Sequence, residues 1–197
     1  MVKQVWQRLV MVLVIAGSLA LAQGAVAQGM TLDNERSSLA FTTTKNGAVT
    51  EVHTFKGLSG SIVRAGQAEV TIDLVTVATG IDIRDERMRK MLFETEQFGK
   101  ATFTADVSQI ISDVRKSSSK VVTLEGELNL HGQTKPLAIE VLVSHGKQSW
   151  VVSTVKPVLI KADDFDLGGG VEKLREIAGL STISPMVPVS FVLTFDR

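Results

Sequence analysis

The stretch VTLEGELNLHGQTKPLAIEV, residues 122–141, carries the alternation that decides the fold. From Val122 the even positions Leu124, Leu128 and Leu130 are apolar and Gly126 is small, while Thr123, Glu125, Glu127 and Asn129 stand between them. After Pro136 the apolar set is Leu137, Ile139, Val141 and Val143. A period of two sends alternate side chains to opposite faces of a strand, so each run predicts a strand with one wet and one dry face. HGQTKP, 131–136, reads as the polar tight connection between them, punctuated by Gly132 and Pro136.

The same pattern recurs outward. AEVTIDL, 68–74, puts Ala68, Val70, Ile72 and Leu74 on one face; ATFTADV, 101–107, does so with Ala101, Phe103, Ala105 and Val107. The final run, 187–195, groups Val189, Phe191, Leu193 and Phe195. Less regular strands are expected over 38–44, 51–63 and 150–161, and VRKSSSK, 114–120, reads as a solvated hairpin loop. Many strands with short turns predict a mainly β chain, an antiparallel sandwich or barrel. Two segments break the period. DERMRKMLFETEQ, 85–97, has Met88, Met91, Leu92 and Phe93 spaced for one helix face, with Asp85 as a candidate N-cap. The second helix is expected over 170–178, entered through flexible Gly168–Gly170, and both should lie over a barrel end or flank.

The chain starts with Lys3 and Arg8 and no acid, then fourteen uncharged residues, LVMVLVIAGSLALA, then Ala25-Val26-Ala27. That is the three-part pattern of a secretory signal peptide, shorter than the ~20 apolar residues of a membrane span. Residues 1–27 are therefore expected to be cleaved, leaving one domain, 28–197, periplasmic or secreted from a bacterium. The full chain balances 21 Lys and Arg against 21 Asp and Glu, without the basic excess that nucleic-acid binding needs. It has no Cys, which excludes disulfides, thiolate metal sites and cysteine nucleophiles.

Motifs for chemistry are sparse. His53, His131 and His145 lie in separate segments with no partner at a metal-ligand spacing, so a turn or surface role is expected for each. No GxSxG elbow is present. Asp163, Asp164 and Asp166 lack the order of a calcium loop and read as a solvated bend. Arg84, Asp85, Arg87, Arg89 and Lys90 crowd a strand-to-helix junction, either as a structural turn beside a solvated helix face or as a cationic rim to a cavity.

At this point two ordered blocks resemble the YceI-like family. Residues 79–105, TGIDIRDERMRKMLFETEQFGKATFTA, are similar to its central signature through Arg84-Asp85, Met88-Arg89, Phe93 and the ATFT run. Residues 124–141 are similar to its G-x-L-x-L-x-G-x-T-K-P hairpin, and Phe41 and the Phe55-x-Gly57-Leu58-Ser59-Gly60 segment also fit. Phe98-Gly99 replaces a common Tyr-Pro, which should alter a turn, and the 169–188 region is longer than expected, which should reshape a mouth. The resemblance implies a lipocalin-like antiparallel barrel of about eight strands around an apolar cavity that binds a polyisoprenoid or similar lipid, such as a quinone or prenyl phosphate.

In such a barrel one face of every strand looks inward. The inward, lipid-binding candidates are Phe41 and Phe55 near the start, then Val70, Ile72 and Leu74, then Phe103 and Ala105. Leu128, Leu130, Ile139, Val141, Phe191 and Leu193 continue the set, with Trp150 at a rim or inside. Small Ala105 and Gly126 should leave room, and Arg84 and Arg89 are the headgroup candidates. At ~0.8 kcal/mol per buried CH₂, a five-carbon prenyl unit contributes roughly 4 kcal/mol gross, so a few units suffice for micromolar binding without polar contacts. The leading expectation is a non-catalytic carrier with an isoprenoid lipid as ligand, no cofactor, no metal, no nucleic acid and transient membrane contact. Two alternatives stay open: a lipid-acting enzyme using His53, His131 or Asp85, and a barrel filled by its own side chains that serves as an interaction module.

Overall fold

The structure, a computed structural model, describes residues 29–197. The expected signal peptide lies outside the described residues. Nine strands form one antiparallel sheet: β1 Met30–Lys45, β2 Val49–Ile62, β3 Gln67–Ala78, β4 Lys100–Asp106, β5 Ser119–Leu130, β6 Gln133–His145, β7 Ser149–Thr154, β8 Val158–Lys161 and β9 Met186–Asp196. Each strand pairs with the next as far as β7, then β7 pairs with β9, and β9 pairs with β1, which closes the sheet. β7 and β8 succeed one another along β9, so the barrel has eight positions around its girth.

The expected single strand over 150–161 is thus two. Val155 still donates to the Glu140 carbonyl, but Pro157 offers no N–H to continue the ladder, and β8 pairs only with β9. The β5–β6 connection is also tighter than 131–136. His131 and Gly132 alone make the turn, both with positive φ (51° and 74°), the geometry of a two-residue hairpin. Pro136 already lies in β6 opposite Glu127, at a height where β7 has not yet joined.

Three helices sit at the barrel ends. α1, Asp82–Arg87, continues into a wider turn, Met88–Leu92, where Phe93 N–H reaches back five residues to the Met88 carbonyl. Asp85 is not the N-cap. It is buried inside α1, where its carboxylate accepts bonds from the Thr79 N–H (2.9 Å) and hydroxyl. α2, Ser108–Val114, fills the stretch between the expected strand 101–107 and the expected loop 114–120, where Val107, Ile110, Ile111 and Val114 recur at helical spacing and pack on the core. α3, Gly168–Ile177, takes the three glycines as its first turn; Gly170 fits against the Met91 carbonyl, where a Cβ would lie 2.6 Å away.

α2 closes one end of the barrel, next to the β2–β3 turn, with Val107 N–H bonded to Gly66. The other end carries the β1–β2 turn, α1 and α3. There the chain after α3 is stitched to the β1–β2 turn by Asn46 N–H to the Thr182 carbonyl and by the Asn46 side chain to Ser181.

Candidate functional site

Between these ends lies a cavity of about 570 Å³, within the roughly 300–1,000 Å³ of small-molecule sites. The barrel is hollow, which removes the basis for a plugged interaction module. Of the expected wall residues, Phe41, Phe55, Val70, Ile72, Leu74 and Phe103 line it on one side. Leu128, Leu130, Ile139, Phe191 and Leu193 line it on the other. Met88, Leu92 and Phe93, from the extension of α1 and the residue after it, and Leu174, Leu180 and Ile183, from α3 and the α3–β9 segment, roof one end.

Three expected wall residues stand apart. Ala105, Val141 and Trp150 are buried but do not line the cavity. All three face inward but are packed within the buried core, although the ladder partners Ala68 of Ala105 and Phe195 of Trp150 do line the cavity. Trp150 stacks on His145, with ring centroids 4.9 Å apart. Gly126 leaves no free room either: a Cβ on it would meet the Phe103 ring at 2.4 Å, so the phenyl group occupies that space.

The roofed end is polar. Thr43, Lys45, Glu51, His53, Arg84 and Arg87 line it. One oxygen of Glu51 receives Arg84 Nη1 at 2.6 Å and Lys45 Nζ at 2.8 Å, with His53 Nε2 at 3.5 Å. The hydrogen bond and charge of Lys45 and the charge of Arg84 hold the Glu51 carboxyl below its usual range, despite some desolvation. Arg84 is spent on structure. Its Nε donates to the Thr79 hydroxyl and its Nη2 to the Thr79 carbonyl, while Nη1 holds Glu51. Arg89, the other headgroup candidate, does not line the cavity; Arg87 does. Three- and four-residue steps from Arg84 fall on Arg87 and Met88, whereas Arg89 is turned off that face.

His53 is buried, against the expectation of a turn or surface role. Burial, and then the positive charge of Arg84, lowers its pKa and favours the neutral imidazole. Thr43 Oγ1 (3.1 Å) and the Glu51 carboxylate both approach Nε2, while Nδ1 has no partner. A hydroxyl and an acid on the same ring nitrogen do not form a nucleophile–base–acid relay, which needs one on each nitrogen. His131, also buried, lies under Phe98 in the β5–β6 turn, and neither it nor Asp85 lines the cavity. Among the described residues there is no group of three or more His, Asp or Glu able to hold a metal ion.

Arg84 and Arg87 fall within the junction read as a possible cationic rim, but Thr43, Lys45 and Glu51 escaped the sequence reading although their signal was present. Thr43 and Lys45 share the parity of Phe41, and Glu51 and His53 share that of Phe55. Extending each inward face by two alternate positions, four residues, brings these four side chains together.

Comparison with known proteins agrees with this architecture. A polyisoprenoid binding domain from Saccharophagus degradans, implicated in plant cell wall breakdown, superposes with a TM-score of 0.82 at 38% identity, covering 85% of this chain and 98% of that one. Burkholderia cenocepacia BcnA shares the fold at a TM-score of 0.62 and 19% identity, over 83% of this chain and 98% of its own. A UPF0312 protein of Shewanella baltica is 29% identical over 146 residues, 69% of this chain and 73% of its own length. Residues 30–195 match the YceI-like domain, nearly the whole barrel, and the chain belongs to that family.

Proposed function

We propose that this protein binds the chain of an isoprenoid lipid inside its barrel and acts as an exported, non-catalytic carrier or sequestering protein. The observation that carries the reading is the hollow interior walled by aliphatic and aromatic side chains from all nine strands. Apolar burial is non-directional, so such a wall accepts any branched hydrocarbon chain that fits, at roughly 0.8 kcal/mol per CH₂. The Saccharophagus degradans domain, similar over nearly its whole length, supports the choice of an isoprenoid. The arrangement around His53 favours binding over chemistry, and the leader pattern of residues 1–27 supports export to the periplasm or beyond.

Organic extraction of the purified protein, followed by mass spectrometry, should release a co-purified hydrophobic molecule. Delipidated protein should take up a long-chain prenol or quinone at one per barrel. Protein that is clean of lipid and takes up neither would overturn the proposal.

A further inference from the structure

Resting on that reading, we propose that the lipid chain enters and leaves the cavity sideways, through a slit in the barrel wall between β6 and β8. Around most of the girth each strand is bonded to the next, but β6 pairs with β7 only over residues 141–145, and β8 pairs with β9 alone. The bond from Val155 N–H to the Glu140 carbonyl is the last backbone link across this seam among the described residues. Beyond it, residues 133–139 of β6 and Val158–Lys161 of β8 are each bonded on one side only, until the turn Ala162–Phe165 packs against β6. Backbone groups left without partners must reach water, so a seam of this kind stays open and is not packed shut.

The sides of the slit are apolar from outside to inside. Leu137 and Ile139 on β6 and Val158 and Ile160 on β8 all line the cavity. On the outer face Val155 and Leu159 are 50% and 60% exposed, and neither lines the cavity. The charges beside them are paired off, Lys156 with Glu140 at 3.1 Å and Lys161 with Asp163 at 3.7 Å. A hydrocarbon chain taking this path keeps apolar contact throughout. The roofed end is the costlier route. There the α3–β9 segment is bonded to the β1–β2 turn through Asn46 and Thr44, and an entering chain would desolvate Lys45, Glu51, Arg84 and Arg87.

Uptake and release rates of geranylgeraniol, measured with the delipidated protein, test this directly. Val155→Glu combined with Leu159→Glu should slow both rates by about tenfold and leave Kd nearly unchanged, because the lips of a passage act on the barrier and not on the bound state. Val75→Glu combined with Val121→Glu, equally exposed on the outer faces of β3 and β5, should alter neither rate. The chain has no cysteine, so Asn46→Cys with Ser181→Cys, whose native side chains lie 2.9 Å apart, gives a single disulfide that fastens the roof. The oxidised protein should exchange ligand at the wild-type rate. Lip carboxylates that change neither rate would overturn the inference, and so would a fastened roof that stops exchange. Failure of the wild type to bind geranylgeraniol at all would instead sink the lipid-binding proposal itself.

Discussion

Arg84 Nη1 lies 2.6 Å from the Glu51 carboxylate, across 33 positions of sequence, and ties α1 to the rim of β2. The same guanidinium secures the strand-to-helix junction through its two bonds to Thr79, whose N–H and hydroxyl in turn bond Asp85. A planar fork with donors in three directions is what this junction requires, and a lysine cannot supply it. Arg84→Lys and Arg84→Met should each cost about 2 kcal/mol, a fall in Tm of roughly 4–8 °C for a domain of this size. Thermal melts followed by circular dichroism check this; a lysine variant that melts with the wild type would show that charge alone suffices.

Ala101 and Ala105 lie on the same strand and the same face, four residues apart, yet only Ala101 lines the cavity. A phenyl group at position 101 has empty space to enter. At position 105 it meets packed neighbours, and overpacking there costs about 1–3 kcal/mol. Ala101→Phe should weaken prenol uptake at least about tenfold with a small change in melting temperature. Ala105→Phe should do the reverse, lowering stability while any folded protein still binds. Equal effects of the two substitutions on uptake would remove the distinction between cavity wall and packed core.

The strands were legible because one of their faces meets apolar side chains and the other meets water, which imposes a period of two on the sequence. That rule reads a face but not whether an inward side chain meets open space or its neighbours, so Val141 and Trp150 could be assigned inward without revealing that they pack in the core. It also fails where the ladder bulges. β1 shifts register between Asp33 and Ser38, where the Asp33 side chain accepts the Glu35 and Arg36 N–H groups, and its first eight residues were missed. Asp85 looked like a cap because acids favour helix starts, but its carboxylate serves the preceding loop. Arg87 gave way to Arg89 in the reading because only the starting point of α1, three residues earlier than expected, decides which arginine shares the face of Arg84.

Two neighbouring glycines in α3 should respond oppositely to the same methyl group. Gly170 lies where a Cβ would be 2.6 Å from the Met91 carbonyl oxygen and 2.8 Å from Leu92 Cα, both backbone atoms that cannot turn aside. Gly170→Ala should destabilise by about 1–3 kcal/mol and loosen the roof that α3 and the Met88–Leu92 turn make together. Gly169 has nothing within 4 Å of the same position. Gly169→Ala should therefore stabilise by about 0.4–1 kcal/mol through helix propensity and a less flexible unfolded chain. Urea denaturation of the two variants measures both signs, and a destabilised Gly169→Ala would contradict the open surroundings of that residue.

His53 should make stability depend on pH on the acid side of neutrality. Its imidazole is buried, and burial followed by the charges of Arg84 and Lys45 lowers its pKa, while Glu51 and Asp85 oppose the shift without cancelling it. In the unfolded chain it titrates near its ordinary value of about 6.5. Above that value neither state holds the proton, and His53 has no effect on the slope. Below it the unfolded chain binds a proton that the folded one does not, so folding weakens as pH falls, by up to about 1.4 kcal/mol per unit until the folded pKa is passed. Glu51 stays ionised through this window because its own pKa is lowered, and its contribution is lost only at more acid pH. Unfolding free energies of the wild type and His53→Gln, compared from pH 7.5 to 5, isolate the effect, since the other histidines are common to both. The wild type should lose stability more steeply below pH 6.5; parallel curves would mean that the His53 ring takes up its proton as readily inside the barrel as in water.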